Sequence, residues 1–420
     1  MRTRREFIGM GSAVSLAASA ALLRSIEAWS ASAGWSDADE AARDEAYWRS
    51  VARAYMSDGR YLVLNGGGNN PLPRDVVDAL ARYDGFAAMQ PRPNNGQLAT
   101  RIDLHRKRLA RHLGCDEEEI AITRNTTEGL NIVTNGVTLA AGDEVVYTSF
   151  DAHYAAQPLR LRAARQGIVL REAEIPIPAT DDEVVRRVTS AFTPRTRLVI
   201  ASHVADGWGY ILPIRRIADQ AHRRDIAVLA DGALSFGHLV CNVRELGCDY
   251  YVSSLHKWLC APLGTGVMYV RRELIAGLWP LYGADEPRSA DIRKFEEIGT
   301  RSGATIAAIG KALDFYEAVG PERKEARLRY LGNYLLERLA KMPGVRCFSD
   351  GDPARRGSLL RILLDGRKGP DVEKILREEY AIWTFGNFGP PWDGIYVSPN
   401  VFNLTADLDR FVQAMREIAA

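Results

Sequence analysis

Between Ile120 and Val270, short apolar runs recur, separated by stretches in which apolar residues return every three or four positions. The runs begin at Ile120, Glu144, Gly167, Arg197, Ile226 and Asp249 and are four or five residues long. Runs that short and continuous predict strands buried on both faces, as in a parallel sheet. Between them, Ile214, Ile217, Ala218 and Ala221 share one face of a helix. Alternation of this kind predicts an α/β domain with a mostly parallel sheet, and Gly266–Val270 reads as one further strand. After Pro287 the pattern changes. Long helices are expected over 303–319 and 322–342, then strands over 345–348 and 359–364. A helix over 371–379, a strand over 395–397 and a helix over 406–418 complete the chain. This predicts a smaller α+β domain from about residue 320, with the segment Ala41 to Leu64 packed between the two domains. No internal repeat or low-complexity tract interrupts the chain.

The N-terminus departs from this pattern. Paired Arg4 and Arg5 precede Phe7-Ile8, a mild apolar stretch runs from Gly9 to Leu23, and Ala31-Ser32-Ala33 follows. A charged, then apolar, then small-residue order predicts an export leader over 1–33. The paired arginines resemble a twin-arginine signal. That resemblance implies a folded chain that meets the twin-arginine translocase and ends in the periplasm or outside the cell, with no stable membrane span in the mature form. The leader holds four Arg and two Glu, so its loss takes the net charge from +1 to −1. Hydrophobic residues at 46% and charged residues at 25% exclude a disordered chain. No dense Lys/Arg stripe occurs, so nucleic acid is not expected as a partner. Five cysteines without a C-x-x-C exclude a zinc ribbon or a disulfide scaffold, and no metal is expected. They read as mostly buried, unpaired thiols, with a single pair as the alternative.

Three features carry chemistry. Only 8 of the 54 basic residues are lysines, and Lys257 follows an apolar strand between His256 and Trp258. A desolvated lysine can form an imine or carry a proton; the competing reading is a lysine snorkelling at a strand end. Asp231 closes the run that starts at Ile226, where open α/β sheets bind ligands; otherwise it is a cap or a loop ion pair. The turn Thr123–Glu128 ends a strand and opens a helix, a place suited to phosphate, or to a plain N-cap. Together, a phosphate cradle, a carboxylate for a ring nitrogen and an aldehyde-capturing lysine match what pyridoxal 5'-phosphate requires.

Over roughly residues 60–415 the chain resembles the class V aminotransferase superfamily of fold-type I pyridoxal-phosphate enzymes, most closely its isopenicillin N epimerase-like branch. The stretch DYYVSSLHKWLCAPLGTG at 249–266, with Asp231 26 residues before Lys257, carries the resemblance. It implies an α/β fold with a large domain built on a seven-stranded-type sheet over 65–300. A segment over 34–64 precedes that domain, and an interdomain helix with a small domain follows over 301–420. It implies that Lys257 binds the cofactor and shuttles protons, that Asp231 pairs with the ring nitrogen, and that His153 stacks on the ring. Thr126, Thr127, Ser254 and His256 are implied at the phosphate side and Asp206 near the ring hydroxyl. Thr300, beside Gly299, is implied to reach the neighbouring subunit's phosphate in a homodimer with shared active sites. Two departures stand out. Leu234 replaces a His or Gln against the ring oxygen. Tyr396 stands where relatives carry an Arg for the substrate carboxylate, so either another Arg, with Arg301 the candidate, takes that role or the substrate lacks a free carboxylate there; the loop that begins at Asn65 reads as substrate-side.

The implied activity is proton chemistry at the carbon bearing a substrate's amino group, in an amino acid or a peptide-like amine. The outcome is transamination or epimerisation, with lyase chemistry or a degenerate binding protein as alternatives. A desulfurase would need a cysteine on a mobile loop, whereas Cys347 falls in an expected strand. A dinucleotide-binding protein is disfavoured because no G-x-G-x-x-G follows a strand.

Overall fold

A computed structural model describes residues 21–151, 153–348, 352–386 and 393–419; Arg4 and Arg5, on which the expected export signal rests, lie outside them. Among the described residues, the strands are β1 (Leu62–Val63), β2 (Ile120–Thr123), β3 (Glu144–Thr148), β4 (Val169–Ala173), β5 (Thr196–Ser202), β6 (Ala227–Asp231), β7 (Tyr250–Ser254), β8 (Gly266–Val270), β9 (Val345–Phe348), β10 (Leu360–Leu364), β11 (Ile382–Trp383) and β12 (Ile395–Val397).

Seven of them form the main sheet, in the order β2-β8-β7-β6-β5-β3-β4. β4, β3, β5, β6 and β7 run parallel, whereas β8 is antiparallel to both neighbours. Strands β2, β7 and β8 are buried at every position, which is why they read as unbroken apolar runs. One helix layer includes Ile214–His222, whose Ile214, Ile217, Ala218 and Ala221 face the core as expected. The other face carries Thr126–Gly136, which packs against β7 and β8.

The helix Gly303–Val319 is buried along most of its length and runs beside the helix Arg74–Met89. The following helix, Pro321–Leu339, leads into a second sheet of order β12-β10-β9, wholly antiparallel, with its own apolar core. These helices and strands form an α+β arrangement. β1 pairs with β11, so Leu62 and Leu64 join the small-sheet core. Tyr47, Trp48, Val51 and Tyr55 instead pack with Trp258, Phe315, Leu328 and Val401. The segment Ala41 to Leu64 thus bridges elements from both units. Residues 21–32 are helical, and Ile26 is fully buried in that same cluster. Among the described residues, no helix is long and apolar enough to cross a membrane. All five cysteines are free; Cys347 lies in β9, and burial pushes its thiol up to about 12.

Candidate active site

The carboxyl ends of β5, β6 and β7 finish side by side. Ser202 pairs in register with Asp231, and Ser254 closes the next strand. Parallel strands all point their carboxyl ends at one edge, so the last residues of three strands reach one crevice. The helix Thr126–Gly136 starts at the same edge, capped by Asn125, whose side chain accepts the Glu128 N–H at 2.8 Å. Between them lies a cavity of about 220 Å³ lined by Thr126, Thr127, Asp206, Asp231, Ser254, His256 and Lys257, together with Ser202 and Leu234. Seven residues singled out in the sequence therefore meet in one place.

Each is held by its element. The Thr126 N–H donates to Ser254 Oγ at 2.9 Å, and the Thr126 and Ser254 hydroxyls are 2.7 Å apart. The first turn of a helix with bonded hydroxyls beside it favours an anion. His256 Nδ1–H donates to the Thr265 carbonyl at 3.1 Å, and burial lowers the ring's pKa. A phosphate beside it would raise that pKa again and favour the donating imidazolium. Asp231 is 3% exposed; its Oδ1 accepts the Ala233 N–H at 2.9 Å. Burial pushes its carboxyl up to about 6, partly offset by the charge of Lys257. Such a carboxylate gains from a cationic N–H partner. The Lys257 backbone is pinned: its carbonyl accepts Asn70 Nδ2–H at 3.0 Å, and Asn70 Oδ1 accepts from Asn400 of the small unit at 3.2 Å. Next to it, the buried Trp258 stacks on His238, ring centroids 4.1 Å apart.

Several expected residues are placed elsewhere. Thr300 is exposed and does not line this cavity. Arg301 does not line it either: its Nη1–H donates to the Ile122 carbonyl at 3.0 Å, and its Nη2 lies 3.9 Å from Glu296. Within one chain the Arg301 guanidinium is thus held at the β2 edge rather than at the cavity. Asn65 bridges to Ser398, and the loop it begins rests on Tyr396, which is buried below it. A Cβ on Gly67 would fall 1.8 Å from Tyr396 Oη, so only glycine permits that approach. The side chain of His153 lies outside the described residues; the helix His153–Gln166 begins at it.

Two positions escaped the sequence. Asp151 Oδ1 accepts both the N–H and the hydroxyl of Ser202, at 2.8 and 2.9 Å, and Oδ2 accepts the Thr148 N–H. Burial, together with the nearby Asp231, pushes Asp151 up to about 7. Arg361 of β10 is buried against the segment that carries Asp206. Neither sits in a motif; an aspartate two residues before His153 was the only available signal for the first.

A buried carboxylate with a lysine in the same cavity, and hydroxyls at a helix start on its other side, fit a pyridine ring that carries an aldehyde and a phosphate. The sheet topology and this donor set define a fold-type I pyridoxal-phosphate enzyme. The comparisons agree. The aminotransferase class-V family matches residues 63–387, and the chain belongs to that family, whose cofactor is pyridoxal 5'-phosphate. It is 31% identical over 401 residues to the isopenicillin N epimerase of Amycolatopsis lactamdurans, covering 89% of this chain and 98% of that one. It is 32% identical over 390 residues to a probable cysteine desulfurase 1 of Mycobacterium leprae, covering 86% and 63%. In structure it resembles the cystine C-S lyase C-DES in complex with cysteine persulfide, with TM-score 0.77, 25% identity, and coverage of 86% and 98%.

Bound in this cavity, the cofactor supplies an aldehyde that captures an amine and a ring that delocalises the charge left when a neighbouring bond breaks. The chain's residues do the rest. Thr126, Thr127, Ser254 and His256 would hold the phosphate and fix the ring's depth. Asp231 would keep a proton on the ring nitrogen. The Lys257 amine would take a proton from the substrate carbon and return one. Leu234, which also lines the cavity, would offer the ring an apolar contact and no hydrogen bond.

Proposed function

We propose that this enzyme moves a proton at the amine-bearing carbon of a small amino substrate, with Lys257 as the proton carrier and transamination as the outcome. The observation that supports this is the shared cavity of Lys257 and the buried Asp231. A single lysine on one side of the substrate suits a proton that leaves one carbon and returns to another on the same face. Epimerisation is the second reading, favoured by the similarity to isopenicillin N epimerases over almost their whole length. It needs a second acid on the opposite face, and Asp206 is the cavity group available for it. Sulfur transfer is disfavoured because, among the described residues, no cysteine lines the cavity.

The test incubates the holoenzyme in D₂O with a panel of amino acids and follows Cα–H by NMR. Exchange of Cα–H that is absent in Lys257→Ala supports the reading; a keto acid then marks transamination, and an inverted centre marks epimerisation. Sulfide release from cysteine without any exchange would refute it. We also propose a homodimer in which Thr300 approaches the partner's cavity, and export of the folded chain to the periplasm or beyond by the twin-arginine translocase. Size measurement in solution and fractionation of cells carrying Arg4→Lys with Arg5→Lys test these two points.

A further inference from the structure

Asp151 lies in the short link between β3 and the helix His153–Gln166, behind the residues that line the cavity. Its carboxylate turns inward. Oδ1 accepts both the N–H and the hydroxyl of Ser202, at 2.8 and 2.9 Å, and Oδ2 accepts the Thr148 N–H. Ser202 is 3% exposed, lines the cavity and stands in register with Asp231. One serine thus has Asp151 as its partner and Asp231 as its neighbour on the next strand, and the mechanism uses only the second of these carboxyls. Burial raises Asp151 to about 7 against the pull of its Thr148 and Ser202 donors, and the Asp231 charge adds to the rise. Asp231, at about 6, also faces the Lys257 cation and the Asp206 carboxylate. As pH rises Asp231 therefore ionises first, and its charge then helps to hold the proton on Asp151. The Ser202 hydroxyl has a single hydrogen. Beside an ionised Asp151 that hydrogen points at Oδ1. Once Asp151 carries a proton, its own O–H donates to Ser202 Oγ, and the serine hydrogen is released toward the cavity.

We propose that Asp151 is a positioning residue of the cofactor pocket, which by holding a proton turns the Ser202 hydroxyl into a hydrogen-bond donor toward the cavity. That donor is offered beside Asp231, where it favours the carboxylate that a ring N–H needs. The inference holds whichever reaction at the amine the enzyme performs.

The test has two readouts. Infrared difference spectra of apoprotein, wild type minus Asp151→Asn, should show a protonated-carboxyl band at about pH 5 that is lost by about pH 9, with a midpoint of about 7. Placed in both proteins, Asp231→Asn should move that midpoint down, because an opposing charge is gone. Ser202→Ala should move it up, because the carboxylate loses a donor. In the holoenzyme, the visible band of the wild type should shift with pH in step with the carboxyl band. That shift should vanish in Ser202→Ala, which has no hydroxyl to turn, and in Asp151→Asn, which does not titrate. A wild type that lacks the carboxyl band or the visible shift overturns the proposal. So does a visible shift that survives in Ser202→Ala, or a midpoint that neither Asp231→Asn nor Ser202→Ala moves. Where Asp151→Asn does not fold, the wild type at low minus high pH, with and without Ser202→Ala, decides by the same criteria.

Discussion

Replacing Asp231 with Asn should make the cofactor-free protein less sensitive to alkaline pH while weakening the loaded enzyme. In the folded chain without cofactor, burial lifts this carboxyl from 3.8 to about 6. The folded state then holds the proton more tightly than the unfolded state does. Its contribution is therefore fully favourable below about pH 4 and is lost as pH rises through about 6. At about 1.4 kcal/mol per pKa unit, the whole loss is on the order of 3 kcal/mol, of which about half falls between pH 5 and 8. Asparagine does not titrate, and its side-chain oxygen can still accept the Ala233 N–H. Removing the charge also relieves Asp151, whose carboxyl is raised partly by Asp231. Urea unfolding of apoprotein, followed by tryptophan fluorescence at pH 5, 6.5 and 8, should show Asp231→Asn gaining on the wild type by about 1.4 kcal/mol across that range. With the cofactor added the order should invert, because a ring N–H gives the wild-type carboxylate its missing partner. Parallel pH curves for the two apoproteins would refute the reasoning.

Three further outcomes follow from packing. A Cβ at position 129 would lie 2.7 Å from Val252 Cγ1, so Gly129→Ala should cost about 1–3 kcal/mol and, by shifting the helix that Thr126 heads, weaken cofactor retention on dialysis. Arg106→Met removes the nearer cation of Glu296, which its Nη2 meets at 2.6 Å; unfolding free energy at pH 7 should fall by roughly 3–5 kcal/mol, and by less as pH is lowered, because burial raises the pKa of Glu296 and its protonated form needs no cation. Deleting residues 1–33 uncovers the face of Tyr47 and Trp48 on which Ile26 is fully buried; burial of one such side chain contributes roughly 1.5–3 kcal/mol, so calorimetry should register a melting point several degrees lower.

The amino-acid sequence by itself determined the strands of the seven-stranded and three-stranded sheets, though not the short pair β1 and β11. A strand covered on both faces must be apolar throughout, so β2, β5, β6, β7 and β8 are visible as runs before any contact is known. It also singled out Lys257 and Asp231, which line one cavity. Lys257 and Asp231 sit at strand ends with unusual neighbours, and proximity along the chain to a buried strand already restricts where each can point. Direction was not legible: an apolar run reads the same whichever way it lies, and only pairing shows β8 antiparallel to β2 and β7. The fate of residues 21–32 was not legible either, since an apolar stretch suits a leader and a docked helix equally; Ile26 has a place in the core only once Tyr47 and Trp48 are assembled. Arg361 looks like any other arginine in a chain rich in them. Its position against Gly207 and Trp208, 154 and 153 residues earlier, exists only when the small sheet closes on the large one. Local patterns record which surfaces a segment must hide, whereas a site shared by distant segments is decided by which hidden surfaces meet.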